Sequence, residues 1–125
     1  MAKLIFTGAA LLSVALNCTP AAAAGGCTVY EHRDLKGAKF NLSHAESMQM
    51  GGEEIGSNFR TYYYVPRWND KISSFKVSSG CTITLWQHVG AYSGAGPRYV
   101  RSGKIVWYMG SAWNDQASWV DCSCR

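Results

Sequence analysis

From about residue 25 onward, apolar side chains recur with a period of two rather than 3.6. Cys27 and Val29, Phe75 and Val77, Cys81, Ile83 and Leu85, and Val120 and Cys122 alternate with polar or hydroxyl residues, the pattern of strands that bury one face. Glycines at 37, 51, 52, 56, 80, 90, 94, 96, 103 and 110 interrupt these runs, which predicts several short strands joined by turns. Residues 43–50 admit one brief helical excursion, and no segment has the length of a strong helix. The pattern is all-β.

The chain also repeats a phrase. Trp68-Asn69-Asp70-Lys71-Ile72-Ser73-Ser74 returns as Trp113-Asn114-Asp115-Gln116-Ala117-Ser118-Trp119. Each copy sets Asn and Asp side by side with a hydroxyl three residues beyond the Asp, the oxygen set that hard cations such as calcium accept. The plainer alternative is a turn whose Asn and Asp bond to local backbone. The repeat extends outward: Cys27 to His32 matches Cys81 to His88 with a two-residue slip, and each half then runs through a hairpin to a glycine, Gly37 or Gly94. The halves span about 27–79 and 81–124 with Gly80 as the joint. Neither is large enough to hide an apolar face alone, so both are expected to pack as one sandwich.

Residues 1–24 read as a cleaved secretory signal. Lys3 forms a positive start, residues 4–16 an apolar run, and Ala22-Ala23-Ala24 a small-residue cleavage site before Gly25. The run is shorter than the roughly 20 residues of a membrane span, so no stable membrane insertion is expected, and a secreted or periplasmic location follows. A lipoprotein reading at Cys18 is opposed by Asn17, which stands where such sites take a small residue. The domain at 25–125 keeps Cys27, Cys81, Cys122 and Cys124. In an oxidising compartment two disulfides are expected, with three possible pairings. Of 12 basic and 8 acidic residues, only Lys3 leaves with the leader. The remaining excess is mild and scattered, which argues for a solvated surface and against a nucleic-acid partner.

Taken together, Tyr30 followed by Gly37 and Phe40, Trp86 with its later glycines, Trp107-Tyr108-Met109-Gly110 and the two Asn-Asp-x-x-Ser corners resemble the βγ-crystallin family. The resemblance covers nearly all of 25–125. It implies two Greek-key motifs packed as a β-sandwich, two four-stranded sheets with one strand exchanged between the motifs, and two calcium ions side by side at one end. Carried over by position, Asp70 and Asp115 offer carboxylates, Lys71 and Gln116 backbone carbonyls, and Ser73 and Ser118 hydroxyls. Each hydroxyl is expected to serve the site headed by the other corner, and hairpin carbonyls near Glu31 and Gln87 complete the shells. One Asp per site implies affinity of the order of micromolar to millimolar. Two positions depart from the family pattern: Trp119 replaces a final serine, and Lys71 sets a cation beside the first site.

The implied function is a secreted calcium-binding domain stabilised by its ions and acting as a monomer. An interaction protein on the same scaffold, a protease inhibitor or antimicrobial toxin, is the alternative, with residues 51–64 and 90–98 as its contact loops. His32 and His88 match by symmetry and are expected to be exposed hairpin residues rather than a metal pair. Residues 62–68 mix aromatics with a cation; in a small sandwich they are expected to serve packing before ligand binding. No nucleophile elbow, metalloprotease helix or phosphate-cradling loop occurs, so enzymatic activity is not expected.

Overall fold

A computed structural model describes residues 25–125; the secretory signal expected at 1–24 lies outside them. Nine strands follow in order: β1 (Gly26–His32), β2 (Lys36–Ser43), β3 (Glu46–Gln49), β4 (Thr61–Tyr64), β5 (Ser74–Val77), β6 (Cys81–Val89), β7 (Gly94–Ser102), β8 (Ile105–Val106) and β9 (Trp119–Cys124). Single 3-10 turns at Arg33–Leu35 and Pro66–Trp68 are the helical pieces among the described residues. No described helix is long and apolar enough to cross a membrane.

The sheets run β2-β1-β5-β8 and β4-β3-β9-β6-β7. Each half lends its third strand to the other: β8 completes the sheet of the first half, and β3 enters that of the second. Between the sheets lie Val29, Leu42, Phe75, Ile83, Leu85 and Val120, each at most 1% exposed. These are the positions at which the period-two pattern turns inward.

Two expectations require correction. One sheet has five strands rather than four, because β4 adds to β3 in parallel, with Ser47 facing Tyr62. The cause is an insertion in the first half: 16 residues separate Gly51 from Trp68, against 2 between Gly110 and Trp113. Parallel pairing needs a crossover of about a dozen residues, and positions 50–60 supply one. Residues 43–50 also hold no helical excursion. Met48 and Met50 are buried in the core, alternating with Ser47 and Gln49, so this stretch follows the strand period and fills the lane beside β9.

Of the three cysteine pairings, the structure takes Cys27–Cys122 and Cys81–Cys124. The first joins β1 to β9 across the sandwich, tying one half to the other. The second links facing residues of the neighbouring strands β6 and β9.

Candidate functional site

The two corners lie against each other at one end of the sandwich and are cross-bonded in matching fashion. The Asp70 amide donates to the Ala117 carbonyl at 3.1 Å, and the Asp115 amide donates to the Ile72 carbonyl at 3.1 Å. Both Asp residues adopt a left-handed backbone, with φ of 57° and 59°. Acidic and amide residues tolerate this conformation better than most, which accounts for their place at the bend. Ile72 and Ala117 are fully buried and act as plugs that hold each bend on the core.

The hairpins approach the corners just as symmetrically. The Ser73 amide donates to the Tyr30 carbonyl at 3.0 Å, and the Ser118 amide to that of Trp86 at 2.8 Å. The pairing of β1 with β2 is irregular between Tyr30 and His32, and that of β6 with β7 between Trp86 and His88. Glu31 and Gln87 therefore sit at equivalent irregularities, where a carbonyl is released from the ladder.

At the first of these positions three oxygens converge. Ser73 Oγ lies 2.9 Å from the Glu31 carbonyl oxygen and 3.2 Å from Asp115 Oδ1. Lys71 and Asp70 border the same open cleft. A hydroxyl of one corner thus meets the carboxylate of the other. At the second position the arrangement differs: Ser118 Oγ donates to Asn69 Oδ1 at 2.9 Å, next to Asp70 rather than on it. The Gln116 side chain turns back to the Asn114 carbonyl at 3.4 Å. Among the described residues no three His, Cys, Asp or Glu side chains are placed to hold a metal ion together. The donor set is therefore single carboxylates joined by hydroxyls and carbonyls, which suits a hard cation.

A βγ-crystallin domain from Clostridium beijerinckii superposes on the chain with a TM-score of 0.57 at 18% identity, covering 78% of this chain and 97% of that one. A second, from Flavobacterium johnsoniae, gives 0.57 at 19% identity over 79% and 94%. The fold is that of a βγ-crystallin domain. A clostrillin double mutant with two serines changed to histidine, in complex with nickel, matches with a TM-score of 0.57 at 18% identity over 78% and 97%. No protein-family profile and no curated protein sequence matches the chain.

Within the βγ-crystallin fold the departures from symmetry have structural causes. In the first corner Ser74 Oγ donates to the His32 carbonyl at 2.6 Å and accepts from the Leu35 amide at 3.0 Å, tying corner to hairpin. Trp119 holds the matching place in the second corner and is fully buried. Its indole donates to Asp121 Oδ1 at 2.8 Å, and its ring packs 5.9 Å from that of Tyr62. The insertion is what covers it. Arg60 reaches back to Ser47 Oγ at 2.7 Å, to Ser123 Oγ at 3.2 Å and to the Cys122 carbonyl. Buried Gln49 holds the Gly51 and Glu53 carbonyls at 2.8 and 2.6 Å. Nothing in the corner motif announces this lid over the outer face of the sheet; the signal was the unequal spacing from Met-Gly to Trp-Asn-Asp in the two halves.

The aromatic run at 62–68 is likewise committed to packing and local bonds. Tyr62 Oη donates to Gln49, Tyr64 Oη to the Gly52 carbonyl, and Trp68 is buried. Tyr63 Oη donates to Glu46 Oε2 at 3.0 Å, and this bond, with the charge on the carboxylate, holds the phenol above its ordinary range. His32 and His88 are exposed residues folded over their own hairpins. A Cβ on Gly37 or Gly96 would fall 2.5 Å from Cδ2 of His32 or His88. Gly96, rather than the Gly94 chosen by spacing, is thus the partner of Gly37, and Gly94 instead lies under Trp86.

Proposed function

We propose that the protein is an exported calcium-binding domain whose ions bridge the two motifs and stabilise their packing. The observation that carries this reading is the convergence of Ser73 Oγ, the Glu31 carbonyl and the Asp115 carboxylate, three oxygens drawn from both halves. Calcium accepts such mixed sets of charged and neutral oxygens. Two disulfides fit an oxidising compartment. The site built on Asp115 and Ser73, with the Lys71 carbonyl, fills first. The site built on Asp70, Ser118 and the carbonyls of Gln87 and Gln116 is weaker, because the Ser118 hydroxyl must first leave Asn69.

Binding to the folded state alone adds about 2.7 kcal/mol when calcium stands a hundredfold above its dissociation constant. Calorimetric titration of residues 25–125 with calcium, paired with thermal melts, tests the reading. Heat uptake or release with a rise in Tm is expected for the parent protein, and both effects should shrink in Ser73→Ala. A flat titration with an unchanged Tm up to ~10 mM calcium, an order of magnitude beyond the weakest extracellular sites, sinks it.

A second reading, an interaction protein, draws on Phe59. This side chain is 92% exposed on the insertion, whose flanks Gln49 and Arg60 brace, and a preorganised loop loses little entropy on docking. Inhibition assays against serine and metalloproteases, with Phe59→Ala as comparison, separate this reading from the first.

A further inference from the structure

The cleft beside Asp115 carries more charged groups than an ion site needs. Glu31, Asp70 and Asp115 face Arg33 and Lys71 around it, so its own balance is one negative charge when His32 is neutral. Among the described residues the ion pairs are His32 with Glu31 and Arg60 with Asp121. Neither Arg33 nor Lys71 therefore has a carboxylate partner. Arg33 is held instead by an aromatic face, its guanidinium carbon 4.2 Å from the centroid of the Tyr108 ring. Stacking of this kind occupies the flat of the guanidinium and leaves its in-plane donors for a ligand.

Resting on the calcium reading above, a divalent ion in the Ser73 and Asp115 set reverses the sign of this balance, from one negative charge to one positive. Calcium takes six to eight oxygens. The chain offers the Asp115 carboxylate, the Ser73 hydroxyl and the carbonyls of Glu31 and Lys71, which leaves positions open toward the cleft that Arg33 borders. We infer that the ion-loaded cleft binds a phosphate group, with an oxygen in the calcium shell and others accepting from Arg33. A tetrahedral oxyanion can bridge a cation and a guanidinium at once, and arginine pairs with phosphate through two parallel donors. Without the ion, the negative balance of the cleft repels the same group. Lys71 becomes part of the recognition rather than a flaw beside the metal.

The phosphate can sit on a small molecule or on a lipid headgroup, and two arms distinguish these. Calcium titrations are run alone, with saturating O-phosphoserine, and with phosphatidylcholine vesicles containing phosphatidic acid. The expected result is a calcium midpoint lowered at least about fivefold by one of the phosphate sources, with phosphate affinity raised by the same factor, since coupling is reciprocal. Arg33→Gln abolishes the coupling while calcium alone binds no more weakly than before, since a positive charge has left the cleft, and Arg33→Lys retains part of it. Coupling in only one arm identifies the source. A calcium midpoint unmoved in both arms, or full coupling in Arg33→Gln, overturns the inference while leaving the metal reading intact. A flat titration with calcium alone overturns the metal reading and this inference with it.

Discussion

Replacing Trp119 with serine restores the repeated phrase and is expected to damage the protein. The Trp119 side chain is fully buried, and a tryptophan removes roughly 150–250 Å² from water. At ~25 cal/mol per Å² this area corresponds to about 4–6 kcal/mol, and residual burial in the unfolded chain reduces it to about 3–5 kcal/mol. Large-to-small substitutions of buried aromatics cost the same amount. A new hydroxyl able to tie the second hairpin as Ser74 ties the first offsets about 1 kcal/mol. The net loss expected for Trp119→Ser is therefore about 3 kcal/mol, a large share of the ~5–15 kcal/mol typical of a small domain. Urea unfolding of residues 25–125 with disulfides intact measures it as a shift in midpoint at constant slope. Tyr62→Ala should lose much of its own cost in the Trp119→Ser background, because the two rings touch. A loss below about 1 kcal/mol, or strictly additive effects of the two changes, would refute the idea that the insertion seals this tryptophan.

Three further outcomes are expected. Asp115→Ala should abolish the tighter calcium phase seen by calorimetry and Asp70→Ala only the weaker one; equal effects would show that the two sites are equivalent. Gly37→Ala and Gly96→Ala should each cost about 1–3 kcal/mol in urea unfolding, since each glycine has a left-handed backbone, φ 82° and 78°. Removing the imidazole in His32→Ala should relieve the steric part of the Gly37→Ala cost, and a neutral Gly37→Ala would contradict the hairpin geometry. Loss of Cys27–Cys122, which closes a separation of 95 residues, should destabilise more than loss of Cys81–Cys124, which closes 43. Chain-entropy estimates are about 4.7 and 4 kcal/mol, and serines at Cys27 and Cys122 also bury two hydroxyls in the core; the reverse order in paired Cys→Ser variants would contradict this.

The elements that were readable from the chain are those set by local periodicity. Val29, Phe75, Ile83 and Leu85 lie inward as their alternation requires, and the Trp-Asn-Asp corners mark the bends because Asp70 and Asp115 accept a left-handed backbone. What could not be read depends on who packs against whom. Cys27 lies across the sandwich from Cys122 only because β9 takes the lane between β3 and β6, and no spacing rule encodes that. Residues 43–50 resembled a helical turn because their only strong signal, Met48 and Met50, is short. Spacing pairs Gly94 with Gly37 because a bend adds residues to the second hairpin; the histidine folded on Gly96 marks the true equivalent. Within the corners, Ser73 bonds to Asp115 of the other motif and Ser118 to Asn69, a choice among nearby acceptors that composition does not determine.

The position of β9 has a consequence for how the molecule comes into being. It is the last of the described strands yet occupies the middle of its sheet, with β3 on one side and β6 on the other. Glu46 pairs with Cys122 in that lane, a contact between residues far apart in sequence. Such closure carries a large loop-entropy cost before any reward, so folding is expected to be slow for the length of the chain. A ribosome delivering the polypeptide from its amino end holds an incomplete sheet until this strand emerges. The sheet thus stays open while β3 to β8 are made, and closes only when β9 has followed them.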